Sequence, residues 1–210
     1  MIVNLVTIKK YLIYLLLLLF FNCFFINTVE AGSLATPTEY DVPTDAGDSS
    51  IRFPRGIAFN NDGTRMFVSG LDLNQQGIRQ FDLSVGFDLS STITPGSKVG
   101  KTAGDVTNEK IANPYSIRFN NDGTKLFFLQ GVSTTLREFT LSTAFDITSV
   151  SAAGSSDTVD YTLTDSGNSS GFAFNSDGTK LFVADRPNHQ IDVYSLSVGF
   201  DLDSTISYQS

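Results

Sequence analysis

Two sets of residues in this chain could do chemistry. The first recurs: an Asn-Asn-Asp-Gly or Asn-Ser-Asp-Gly corner in "FNNDGTRMFV" from Phe59, "FNNDGTKLFF" from Phe119 and "FNSDGTKLFV" from Phe174. Clustered carboxylate and amide oxygens are what calcium takes, in loops with ligands at positions 1, 3 and 5, a glycine at 6 and an acid at 12. From Asn120 the glycine arrives too early, at Gly123, and the twelfth residue is Gly131. Glycine tolerates positive φ and Asp or Asn the positions beside it, so Asp62-Gly63, Asp122-Gly123 and Asp177-Gly178 read as tight hairpin turns. The second set does not recur: "ADRPNHQ" at 184–190 holds Asp185, Arg186, Asn188 and the sole histidine, His189. One histidine excludes a multi-histidine zinc or iron site. No serine or cysteine stands in a nucleophile-elbow setting, so no catalytic set is read.

The elements that must position these residues follow from repetition. The corners lie 60 and 55 residues apart. A second landmark keeps the same period: "FDLSVGFDLSSTI" from Phe81, "FTLSTAFDITSVS" from Phe139 and "YSLSVGFDLDSTIS" from Tyr194. Its Phe87, Phe145 and Phe200 are expected to pack between neighbouring units while the following acid caps a turn. Each unit reads as strands: "GIAF", "SIRF" or "GFAF" before the corner and "RMFV", "KLFF" or "KLFV" after it. A variable loop leads to "GIRQFDL", "TLREFTL" or "HQIDVYSL", and a fourth strand is read at 158–164 and 91–97. Four short antiparallel strands per unit, with no helical apolar stripe after the first residues, predict an all-β propeller of about three blades, near 50–105, 106–164 and 165–210.

The first thirty residues give an address. Lys9 and Lys10, the apolar run from Tyr11 to Ile26 and the exit "NTVEAGS" have the order of a secretory signal peptide, with cleavage expected after Ala31. The run is shorter than the roughly 20 residues needed to span a bilayer, although an uncleaved anchor is the rival reading. Residues 1–31 contain the only cysteine, Cys23, and carry a net +1 from Lys9, Lys10 and Glu30, so removing them takes the formal charge from −8 to −9. An acidic chain is unsuited to nucleic acid or an anionic membrane, which demand basic patches. The expected location is secreted, periplasmic or cell-surface.

"GFAFNSDGTKLFVADRPNHQIDVYSL" resembles an NHL-type propeller blade, and the recurring "FNSDGTKLFV" resembles the YVTN and lactonase-like repeats of bacterial exported proteins. The likeness covers residues 50–205 in three copies. It implies a bladed propeller, and lactonase-like members hold a central calcium by acids and amides from several blades. Here the first strands carry Ile57, Ala58, Ile117, Arg118, Phe172 and Ala173 at the corresponding place, so no enzyme's residues carry over.

Closed propellers carry four to eight blades, so three raise a question. Both "TEYDV" at 38–42 and "ISYQS" at 206–210 resemble the outer strand "VDYTL" at 159–163. This reads as a longer run of blades or as three blades that complete a ring with another copy; the uncapped last strand favours the former. Loops entering the first strand and loops joining second to third should open on one face. The former offer Arg55, Tyr115 and Ser170; the latter offer Asp72, Asn74, Gln130, Asp185, Arg186, Asn188 and His189. Diversified polar loops on a repeated frame predict a binding or scaffold module for a protein or carbohydrate. The alternative is a metal-dependent, lactonase-like hydrolase, using calcium, whose remaining ligands lie outside this chain.

Overall fold

The structure, a computed structural model, describes residues 39, 53–71, 75–102, 111, 113–131, 135–150, 158–163 and 169–209. The expected leader, the "TEYDV" stretch apart from Glu39, and the loop residues Asp72 and Asn74 lie outside them. Apart from a 3-10 turn at Ile147–Ser149, the named elements are all strands.

Twelve strands form three four-stranded antiparallel sheets, each a simple meander. The first contains β1 (Phe53–Phe59), β2 (Arg65–Leu71), β3 (Gln75–Leu83) and β4 (Ile93–Thr102). The second contains β5 (Pro114–Phe119), β6 (Lys125–Gln130), β7 (Thr135–Thr140) and β8 (Thr158–Thr162); the third β9 (Gly171–Phe174), β10 (Lys180–Asp185), β11 (Gln190–Leu196) and β12 (Ile206–Tyr208). The fold is therefore the expected set of three propeller-type blades. In the first sheet the fourth strand runs later than the "STITPGS" reading, because Lys98 to Thr102 continue the ladder against β3.

Two hydrophobic cores lie between sheets, and a third, of Met66, Val68, Phe81 and Leu83, belongs to the first sheet alone. Phe67 and Ile78 of the first sheet share a core with Ile117, Leu126, Phe128 and Phe139 of the second. Phe127, Leu129 and Leu136 on the other face of the second sheet share one with Phe172, Leu181, Val183 and Tyr194 of the third. The alternation of β6 explains this: successive side chains point to opposite faces, and both faces of the middle sheet are covered, so its run "LFFL" is apolar throughout.

Each corner is a clasp of side-chain to backbone hydrogen bonds. Asp122 Oδ1 accepts from the Thr124 amide at 2.9 Å and from its hydroxyl at 2.5 Å, while Asn120 Oδ1 accepts from the Lys125 amide at 2.9 Å. The same bonds form at Asp62 and Asp177. Gly63, Gly123 and Gly178 adopt φ of 72° to 73°, and the ring of Phe87, Phe145 or Phe200 lies against the glycine, where a Cβ would meet it at 2.2 to 2.3 Å. These phenylalanines themselves take φ of 55° to 59°, a costly conformation for a bulky residue. Contact with Phe59, Phe119 or Phe174 of the same unit, at 5.2 Å between ring centroids, offsets it. The aromatic thus first packs on its own corner; Phe200 also reaches Phe127 of the preceding sheet at 6.4 Å. The following acid caps its turn, as Asp88 Oδ1 does for the Ser90 amide and hydroxyl.

Candidate functional site

The strand ends opposite the corners carry the polar loop residues, and two bulges organise them. In β1 the pairing with β2 skips between Pro54 and Gly56, which makes Arg55 the extra residue. In β5 the pairing with β6 skips between Pro114 and Ser116, which makes Tyr115 the extra residue at the same place in its unit. A bulge re-aims the side chain of the inserted residue. Proline has no amide to lose from the ladder, which suits Pro54 and Pro114 to this start. Ser170 holds the matching position in the third unit, its amide donating to Ala184 O at 3.2 Å.

The bulges of the first two units meet. The Arg55 guanidinium lies over the Tyr115 ring, 3.9 Å from its centroid, and Arg55 Nη1 donates to Asn113 Oδ1 at 2.9 Å. Asn113 adopts φ 55°, which asparagine tolerates, and clamps the entry to β5. Its carbonyl accepts from the Gly131 amide at 2.7 Å and its Nδ2 donates to Gly131 O at 2.8 Å. Gly131 is required here, since a Cβ would stand 1.7 Å from the Tyr115 ring. Beneath the pair, the buried Ser69 hydroxyl lies 3.4 Å from both Gly56 O and Tyr115 O, so it can donate to either unit.

The third unit is built differently. Asp185 is buried, and its Oδ2 accepts from Asn188 Nδ2 at 2.6 Å. Its Oδ1 lies 3.4 Å from the Asn188 amide. The acid therefore closes the turn from Asp185 to His189 rather than presenting a free carboxylate. Arg186 and His189 are exposed, and His189 holds φ 55° with its amide donating to Arg186 O at 3.4 Å. Gln130 ends β6, half-buried, on the same edge.

Sequence reasoning named Arg55 and Tyr115 separately; the bulges and the cation–π contact bring them together across two units. It missed Asn113, for which the only available signal was an Asn-Pro step before a strand. It also missed Ser69, buried between units. Arg118, one of the first-strand residues named above, is exposed on β5 and donates to Ile57 O at 3.3 Å and Ile117 O at 2.7 Å.

The arrangement offers hydrogen-bond donors and two cations without a carboxylate cluster. Among the described residues no three His, Cys, Asp or Glu side chains gather as a metal site would require. Among the same residues no helix is long and apolar enough to cross a membrane.

No protein-family model matches the chain, and no curated protein matches it. Solved structures do resemble it. A functionally unknown protein from Desulfotomaculum acetoxidans aligns at TM-score 0.47 and 19% identity, over 77% of this chain and 47% of that one. A candidate 6-phosphogluconolactonase from Bacteroides uniformis aligns at 0.47 and 13%, over 74% and 39%. The periplasmic gluconolactonase of Pseudomonas aeruginosa aligns at 0.44 and 12%, over 75% and 40%. This chain thus spans less than half the length of each. At these scores the likeness assigns no activity, and the three blades rest on the strand order, registers and cores described above.

Proposed function

We propose that this chain is an exported propeller module whose loop edge binds a protein or carbohydrate. The observation that carries the reading is the paired bulge: Arg55 on Tyr115, tied by Asn113 and seated over Gly131. Two successive units depart from regular pairing at the same position, and both extra residues are large and polar-tipped. Packing alone does not call for this, because the inter-sheet cores are made by other residues. Bulges and loop residues held on a rigid sheet are where binding groups concentrate. Arg55 and Arg186 give the edge local positive charge on an acidic chain, suited to a partner carrying acidic or hydroxyl groups. Export rests on the order of charge, apolar run and small residues at 1–31. The lactonase reading rests on resemblance alone.

A glycan array and a pull-down from an extracellular or periplasmic extract test the binding reading. Binding is expected to fall at least tenfold in Arg55→Ala and in Tyr115→Ala, with a smaller loss in the combined Asp185→Ala, Arg186→Ala, His189→Ala variant. Signal unchanged in all three would overturn the loop edge as the binding face. A mature N-terminus at Gly32 would support export, and an intact Met1 in the recovered protein would count against cleavage.

A further inference from the structure

The first strands β1, β5 and β9 lie side by side, one from each sheet, and "GIAF", "SIRF" and "GFAF" keep the same spacing to the corner that follows. The third residue of each is Ala58, Arg118 and Ala173. Neither the corner nor a core calls for arginine there, since alanine serves at the same place in both neighbouring units. The packing of β5 falls to Ile117 and Phe119 on either side of it, and Arg118 is exposed.

The guanidinium is held in place by one nitrogen. Its Nη1 donates to Ile117 O at 2.7 Å and, across to the first sheet, to Ile57 O at 3.3 Å. Nε and Nη2 remain, and their parallel N–H groups form the fork that takes both oxygens of a carboxylate. No carboxylate among the described residues forms an ion pair with Arg118, whereas Arg65 pairs with Asp82, Lys125 with Glu138 and Asp201, and Arg137 with Asp160.

Small neighbours leave space on both flanks of this cation. Between the first and second sheets a pocket of about 360 Å³ is lined by Arg118, Ala58, Asn61 and the rings of Phe59, Phe119 and Phe145. Between the second and third a pocket of about 230 Å³ is lined by Arg118, Ala173, Asn121, Phe174 and Phe200. These phenylalanines are half-buried, so each pocket offers ring surface beside the guanidinium. The side-chain amides of Asn61 and Asn121 donate to Asn121 O and Ser176 O, which ties the corners of successive sheets together beside both pockets.

We propose that Arg118 binds a small monocarboxylate with an apolar body, the carboxylate on the guanidinium fork and the body against the phenylalanines of a flanking pocket. A single unpaired cation matches a single negative charge. Asp122 and Asp177 line an adjoining hollow with Asn121 and Phe200, and their charge opposes a dianion such as sulfate. The site is separate from the Arg55 and Tyr115 edge and uses none of its residues.

Titrating the full chain with benzoate, while following the Arg118 Nε–H and Phe119 amide resonances, tests this. Benzamide serves as the neutral isostere and sulfate as the dianion. A saturable shift of both resonances is expected, with a Kd of about 1 mM or tighter that weakens as salt is added. Benzamide should give no saturation. Arg118→Lys, which keeps the charge and loses the fork, should weaken benzoate about tenfold, and Arg118→Ala should abolish its binding. Ala58→Leu and Ala173→Leu each fill one pocket, and at least one should abolish binding with Arg118 retained and thermal unfolding still cooperative. Resonances that do not move, saturation by benzamide or sulfate as tight as by benzoate, binding retained in Arg118→Ala, or indifference to both leucine variants would each overturn the proposal.

Discussion

At one end of the sheets three corners repeat the same clasp to within 0.1 Å: aspartate to threonine amide and hydroxyl, asparagine to the next amide. At the other end the first two units share a bulge but no two units present the same side chains. The first offers an arginine on a bulge, the second a tyrosine on a bulge with an asparagine clamp, and the third a buried aspartate closing a turn. Strand pairing needs a fixed hairpin register at one end, which constrains the corners in every unit. Past the last ladder bond the other end is free to vary, and its variation is where specific recognition can be built. Repetition marks what folding requires, and divergence marks what it does not.

Changes at the corner should cost stability, and changes at the loop edge should cost binding. The largest effect is expected from Gly123→Ala, which puts a Cβ at φ 73° and 2.3 Å from the Phe145 ring. A loss of about 3 kcal/mol in chemical denaturation is expected; a loss below about 0.5 kcal/mol would remove the corner from the folding argument. Tyr115→Ala on the opposite edge should cost about 1 kcal/mol, the scale of a partly exposed cation–π pair, while abolishing ligand capture. A stability loss as large as that at the corner would erase the contrast.

Acidity separates the corner from the junctions. Hydrogen bonds from the neighbouring threonine hold Asp62, Asp122 and Asp177 below the usual 3.8. The native state therefore binds fewer protons there, and the stability they contribute is present above 3.8 and lost as pH falls through their lowered values. Glu138 behaves oppositely. Burial between the second and third sheets raises it above 4.5, opposed by the Leu202 amide and by Lys125, whose Nζ lies 2.6 Å away. Its contribution declines as pH rises from 4.5 through the raised value. Replacing Thr64, Thr124 and Thr179 together by valine should flatten the acid limb of a stability–pH curve, and Glu138→Gln, the type found at Gln80, should flatten the limb above 4.5. Unchanged limbs would show that other groups set them. The smallest effect is expected at His189, whose φ of 55° strains an exposed position of its loop. His189→Gly should change unfolding free energy by less than about 1 kcal/mol, with stabilisation expected if the strain outweighs the entropy of glycine.

Much of the architecture was legible because it recurs. The period of the Asp-Gly corners, the aromatic strands after them and the Gly-Phe-Asp landmark gave three four-stranded units. Three registers in phase are far more specific than one. The candidate site was legible only as a list of polar loop residues. Bulges at Arg55 and Tyr115 depend on how β1 meets β2 and how β5 meets β6, and neither strand alone signals a skipped pairing. Asp185 looked like an exposed acid because its burial depends on Asn188 folding back onto it. Phe87, Phe145 and Phe200 looked like wedges between units, and their positive φ could not be read from a Gly-Phe or Ala-Phe dipeptide.

The sequence by itself determined the strands, their grouping by fours and the turn chemistry at each corner, since these follow from local periodicity and from what Asp, Asn and Gly permit in a tight bend. Only the tertiary structure decided which side chains meet across units. Arg55 reaches Tyr115 from 60 residues away in sequence, and Ile57 and Ile191 are exposed where their repeats are buried. Equivalent positions of the repeat stand in unequal surroundings, because burial is set by the neighbouring sheet and not by the strand that carries the residue.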